Sequence, residues 1–135
     1  MSDILNADDP ISELSSALYI GTLVDESENP IVGSLLTSLT MWHYDEATGL
    51  VLNGRAAQDV LQQHGVTVYD SLQANAAGRT YNLLWIMDPA DNGCIGRRPL
   101  QTHVTLWLPT WVSGQRASRH ETRTLVKNLN KVPAP

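Results

Sequence analysis

LTMWHYDEATGLVLNGRAAQDVLQQHG, Leu39–Gly65, is the stretch whose reading decides the fold. Its opening alternates, with Leu39, Met41 and His43 on one face of a strand and Thr40, Trp42 and Tyr44 on the other. Asp45–Gly49 is a short connection ending on a glycine that tolerates positive φ, so Leu50–Leu52 returns as the second arm of a hairpin. In Arg55–Gly65, Ala57, Val60 and Leu61 recur at helical spacing and Gly65 stands where a C-terminal cap belongs. That pattern predicts a helical insertion of roughly one to three turns. The stretch indicates a β fold and contains no catalytic constellation.

Working outward, Ala17–Glu26 is a strand-length apolar run closed by turn formers from Asp25 to Pro30. Val66–Tyr69 is a short strand and Ala74–Gly78 a turn of small residues. Tyr81–Met87 is too apolar on both faces for an open edge. Asp88–Gly93 stops it with turn formers. Leu100–Leu108 alternates again, grouping Thr102, Val104, Leu106 and Leu108, before Pro109 bends or interrupts the ladder. His120–Val126 makes a last strand. Roughly six to nine short strands without a βαβ rhythm predict an all-β, antiparallel sandwich. Its expected core is Leu39, Met41, Leu52, Leu83, Trp85, Val104, Leu106 and Val126.

With 135 residues the chain has room for one ordinary domain. Its aromatic volume is all Trp and Tyr, four of each, with no Phe, so every ring carries a polar handle suited to a half-wet position. A net charge of −5 repels a phosphate backbone and argues against nucleic acid as a partner. Cys94 is the single cysteine, which excludes an internal disulfide and fits synthesis in a cytoplasm. No apolar run reaches the roughly 20 residues that cross a bilayer, and MSDILNADDP lacks the basic start and apolar middle of a secretory signal, so no membrane partner is expected.

Residues 1–14 mix Asp3, Asp8, Asp9 and Pro10 with Ile4, Leu5, Ile11 and Leu14. They read as an extended N-terminal arm whose acids and proline keep it from joining its own domain as a strand, leaving the aliphatics for a neighbouring subunit. The domain is expected over residues 15–132 and a C-terminal tail over 133–135. Ile4, Leu5, Ile11, Leu14 and Trp111 are the candidate interface residues.

The chain offers little for chemistry. His43, His64, His103 and His120 show no metal-ligand spacing, so no metal or cofactor is expected; His103 and His120, both on late strands, are the pair that folding could bring together. Cys94 lies in a loop with no identifiable base. There is no nucleophile elbow and no phosphate-cradling loop. The carboxylate pairs Asp8-Asp9 and Asp45-Glu46 fall in the arm and in a turn. These residues predict a protein that is not an enzyme.

TMWHYDEATGLVLNGRAAQDVL, Leu83-Leu84-Trp85 before Asp88-Pro89-Ala90-Asp91, His103-Val104-Thr105-Leu106-Trp107 with Trp111, and Val126-Lys127-Asn128-Leu129 together resemble small Ig-like virion proteins of tailed bacteriophages, over about residues 17–132. The resemblance implies an Ig-like β-sandwich without catalytic residues. Its function would be that of a capsid decoration or cement subunit, with a head–tail or tail/baseplate position as the nearest variant. The implied partners are the major capsid protein or other virion proteins and further copies of the chain, and the implied location is the virion, after synthesis in the host cytoplasm. The competing class is a carbohydrate-binding sandwich, which would place two or three Trp and Tyr rings on one exposed face. Buried tryptophans favour the first class and coplanar exposed rings the second.

Overall fold

The computed structural model describes residues 2–5, 11–12, 16–112 and 119–128, the first two stretches through their backbone alone. The strands are β1 (Ser2–Leu5), β2 (Ile11–Ser12), β3 (Ala17–Gly21), β4 (Leu36–Asp45), β5 (Gln58–Asp59), β6 (Val66–Ala74), β7 (Thr80–Met87), β8 (Leu100–Trp111) and β9 (His120–Lys127). One sheet has the order β1-β9-β8-β4-β5, with β2 also on β9; the other has the order β3-β7-β6. Except where β1 and β2 run parallel to β9, all pairs are antiparallel. The protein is an all-β sandwich.

The two inner faces meet at a pair of indoles. Trp85 of β7 and Trp107 of β8 are both fully buried and contact edge to face, with centroids 5.4 Å apart, a favoured aromatic geometry. Leu39 and Met41 of β4, Val66 and Val68 of β6, and Leu83 and Met87 of β7 belong to the cluster around them. The apolar reading of Tyr81–Met87 matches its place, since β7 is the central strand of the smaller sheet. Of the expected core, Leu39, Met41, Leu52, Leu83, Trp85, Val104 and Val126 are buried.

Leu106 is the exception, because β8 presents the opposite face to the one its aliphatics indicate. Met41 pairs with Trp107 and His43 with Thr105, so Gln101, His103, Thr105 and Trp107 point inward and are buried, while Leu106 and Leu108 stay half-exposed. The register of β4 and the area of one indole outweigh two leucines. Pro109 does not end the strand either. It sits opposite Leu39, and the irregularity falls on the partner strand, between Leu36 and Ser38.

The expected helical insertion is absent. Residues 55–65 form turns and the short strand β5, and among the described residues the helical segments are the 3-10 turns Gly33–Leu35 and Pro89–Asn92. Ala57, Gln62 and His64 all take positive φ, which no right-handed helix contains. Val60 is instead drawn into the core, its N–H donating to the Leu39 carbonyl at 2.9 Å. Gly65 is required for another reason: it has a φ of 81°, and a Cβ there would strike the Ile86 carbonyl of β7. The hairpin after β4 does form, but its return arm shrinks to the single bridge Tyr44↔Val51.

The N-terminal segment also departs from expectation. Its backbone joins its own sheet, with Ile4 opposite Arg123, Leu5 opposite Thr124 and Ile11 opposite Val126. The free edge of β9 presents unpaired N–H and C=O groups that any extended backbone satisfies, whatever its side chains. Leu14 and residues 133–135 lie outside the described residues.

Replacing Trp85 by Ala is expected to cost about 3–5 kcal/mol in urea unfolding. A loss below about 1 kcal/mol would show that the indole is not at the centre of the packing.

Candidate binding surfaces

The inner face of the larger sheet turns polar away from the indoles. Asp45, His103 and Thr124 lie opposite one another across β4, β8 and β9, and His43, Thr105 and Thr122 form the adjacent row. All six are buried. Asp91, on the 3-10 turn Pro89–Asn92, reaches into this region. Its carboxylate accepts from Arg55 Nε at 2.6 Å, Arg55 Nη2 at 3.1 Å, Asn53 Nδ2 at 3.0 Å and the Asp88 N–H at 2.8 Å. Burial pushes its pKa up, but the side-chain hydrogen bonds from Arg55 and Asn53 and the guanidinium charge outweigh that, holding it below the usual carboxylate value. At the end of β4 the Asp45 carboxylate is anchored by hydrogen bonds, its Oδ2 accepting from Arg98 at 2.7 Å and from the Thr48 hydroxyl at 2.7 Å.

Burial lowers the pKa of His43, so the ring is neutral. Nε2–H then donates to the Asp91 carbonyl at 2.8 Å, and Nδ1 accepts from the Thr105 hydroxyl at 2.9 Å. His103 stands edge to face with His43, centroids 5.6 Å apart, and neither of its ring nitrogens has a partner in hydrogen-bond geometry among the described residues. Burial, reinforced by the neighbouring His43, drops its pKa to about 4. Both histidines and Asp45 have no solvent exposure, so a substrate cannot reach them. Among the described residues no group of three or more His, Cys, Asp or Glu is placed to hold a metal ion.

Folding does not bring His103 and His120 together. Both point inward, but His103 faces Thr124 and His120 faces Trp107 across the β8–β9 ladder, and His120 Nε2 contacts the Val24 carbonyl at 2.9 Å. The partner of His103 is His43, on the other side of β8, a strand distant in sequence. Cys94 is half-buried in the loop before β8. Of the candidate interface residues, Ile4 and Leu5 fall on β1 and Ile11 on β2, while Trp111 is half-buried against the core.

Two outward features were not anticipated. On the smaller sheet, Leu18 pairs with Ile86 and Ile20 with Leu84, giving an aliphatic block in which Leu18 is 58% and Ile86 55% exposed. On the larger sheet, Trp42, Tyr44, Val51, Leu106 and Arg119 line a groove of about 320 Å³. Trp42 and Tyr44 share a face by simple alternation, a signal present in the sequence. Arg119 reaches them only through the fold, lying over the Trp42 ring at 4.8 Å. By contrast, the cavity between the sheets beside Tyr19 and His120 holds only about 10 Å³, room for about one water-sized sphere. Comparison with protein-family models, with curated proteins and with solved structures finds no match.

The buried imidazoles make folding stability depend on pH with a defined sign. Their folded pKa values lie below the unfolded one, so the stabilisation is complete above about pH 6.5 and is lost as pH falls towards about 4. At 1.36 kcal/mol per pKa unit, His103 alone contributes about 3 kcal/mol across that window. Urea midpoints measured from pH 7 to pH 4.5 should fall steeply, and His103→Gln should flatten the slope.

Proposed function

We propose that the protein is a non-catalytic structural subunit of a tailed-phage virion, most simply a capsid decoration subunit held by protein–protein contacts. The setting comes from the sequence resemblance. The observation that supports attachment is the aliphatic block of Leu18, Ile20, Leu84 and Ile86 on the β3-β7-β6 sheet, with Leu18 and Ile86 exposed. The groups that could perform chemistry, His43, Asp45, Arg55, Asp91 and His103, are sealed in the interior. Two of the four tryptophans, Trp85 and Trp107, serve packing in the core, which favours a structural role over a face built wholly for stacking.

Covering Leu18 and Ile86, each about half-exposed, yields on the order of 1 kcal/mol apiece. Such a contact is weak alone. Repetition around a symmetric shell, with several copies linked, converts it into firm attachment. Electron microscopy of purified virions labelled with antibody to this chain should show it at symmetry-related positions on the head. The double variant Leu18→Glu, Ile86→Glu should lower its occupancy about tenfold or more while its melting temperature changes little, since both side chains point to solvent. Absence of the protein from purified virions would overturn the proposal.

A further inference from the structure

The groove on the larger sheet is chemically unlike the aliphatic block and lies on the opposite face of the sandwich. Its wall is apolar: Leu106 opposes Trp42 across the β4–β8 ladder, and Val51 bridges to Tyr44. At about 320 Å³ it falls at the lower end of the range of about 300–1,000 Å³ typical of small-molecule sites. Gly49 lines it, and a Cβ there would meet nothing within 4 Å, so that side is open.

Three donors gather around this wall. The Tyr44 hydroxyl and the Trp42 indole N–H make no hydrogen bond among the described residues. Arg119 is placed differently from the three ion-paired arginines near the larger sheet. Arg55 is paired with Asp91, Arg98 with Asp45, and Arg123 with Glu46 and Glu121. Arg119 forms no ion pair among the described residues and rests instead on the Trp42 ring. A guanidinium stacked on an indole is held in position and keeps its in-plane N–H donors for a carboxylate. On a chain with a net charge of −5, a prepositioned cation without an ion pair among the described residues, lining an apolar groove, is complementary to an anion. The phenol and indole handles suit ring hydroxyls, and the aliphatic and aromatic wall suits a C–H face.

We propose that the groove formed by Trp42, Tyr44, Val51, Leu106 and Arg119 binds an acidic sugar, its carboxylate on Arg119 and the C–H face of its pyranose ring on the apolar wall. The same chemistry is offered by a free uronic acid and by a terminal uronate of a polysaccharide. The site is independent of the attachment proposal, and its failure would leave that proposal standing.

The test is titration of the full chain with glucuronate, galacturonate, a trigalacturonate, glucose and cyclohexanecarboxylate, followed by tryptophan fluorescence and by NMR of the indole and methyl signals. A uronate should bind saturably with a dissociation constant of about 1 mM. Glucose and cyclohexanecarboxylate should each bind about tenfold more weakly, because each lacks one of the two recognised features. Arg119→Gln, at an exposed position, should weaken uronate binding about tenfold, the scale of one charge-assisted contact, with an unchanged melting temperature. Tighter binding of the trisaccharide than of the monosaccharide would identify the polysaccharide source, and equal binding the free acid. Absence of saturable shifts at the groove, equal binding of glucose or of cyclohexanecarboxylate, or indifference to Arg119→Gln would each overturn the proposal. So would concentration-dependent dimerisation that Arg119→Gln abolishes, which would assign the groove to a second copy.

Discussion

The buried ion pair between Arg55 and Asp91 joins parts of the chain that no ladder connects. Asp91 sits on the turn after β7, Arg55 on the irregular segment after β4, and the Asp91 carbonyl accepts from His43 on β4 itself. Arg55 also bonds Gln58 of β5 and lies over the Trp85 ring at 5.8 Å. The pair thus fixes the loop that replaces the expected helix, the turn that ends β7, and one flank of the central indole. A charge so deeply buried is tolerated only when its partner and its remaining donors are satisfied. Removing either member would strand the other in the interior. The geometry of this end of the sandwich follows from that requirement.

The same requirement accounts for the polar interior of β8. Once His43 is committed to the Asp91 carbonyl and Thr105, the antiparallel register places Thr105 and, one row away, His103 on the inside. The leucines of β8 are then forced outward. This exchange buries imidazoles in the interior and leaves Leu106 and Leu108 half-exposed on the larger sheet. Polar groups that a hydrophobic count would place in water fill the interior, and aliphatic groups that it would bury become the floor of a groove.

The division of the outside follows from the two sheets. The smaller sheet presents the aliphatic block of Leu18, Ile20, Leu84 and Ile86, suited to broad, non-directional contact. The larger sheet offers rings, an arginine and a concave floor, suited to a compact ligand with both an apolar face and polar groups. A sandwich keeps these surfaces apart because each sheet has a single outer face, and the indole pair holds the sheets in fixed relation.

How much was legible beforehand depended on whether a residue's role is set by its neighbours in sequence or by its neighbours in space. The β class, the central position of Tyr81–Met87, the turn at Asp88–Gly93 and the inward face of β4 follow from alternation and turn chemistry, which act within a few residues. The shared face of Trp42 and Tyr44 was likewise determined by local pattern. The remainder was decided in three dimensions. Val60 and Leu61 have helical spacing, but Val60 is claimed by the core and by Leu39, and tertiary packing overrides a weak helical preference. Leu106 and Leu108 look like core until the register with β4 turns Trp107 inward. The N-terminal residues look too polar for a strand until the open edge of β9 is present to receive their backbone. The meeting of His43 with His103, and of Arg119 with Trp42, required strands far apart in sequence to become neighbours, and no property of either residue alone could announce it.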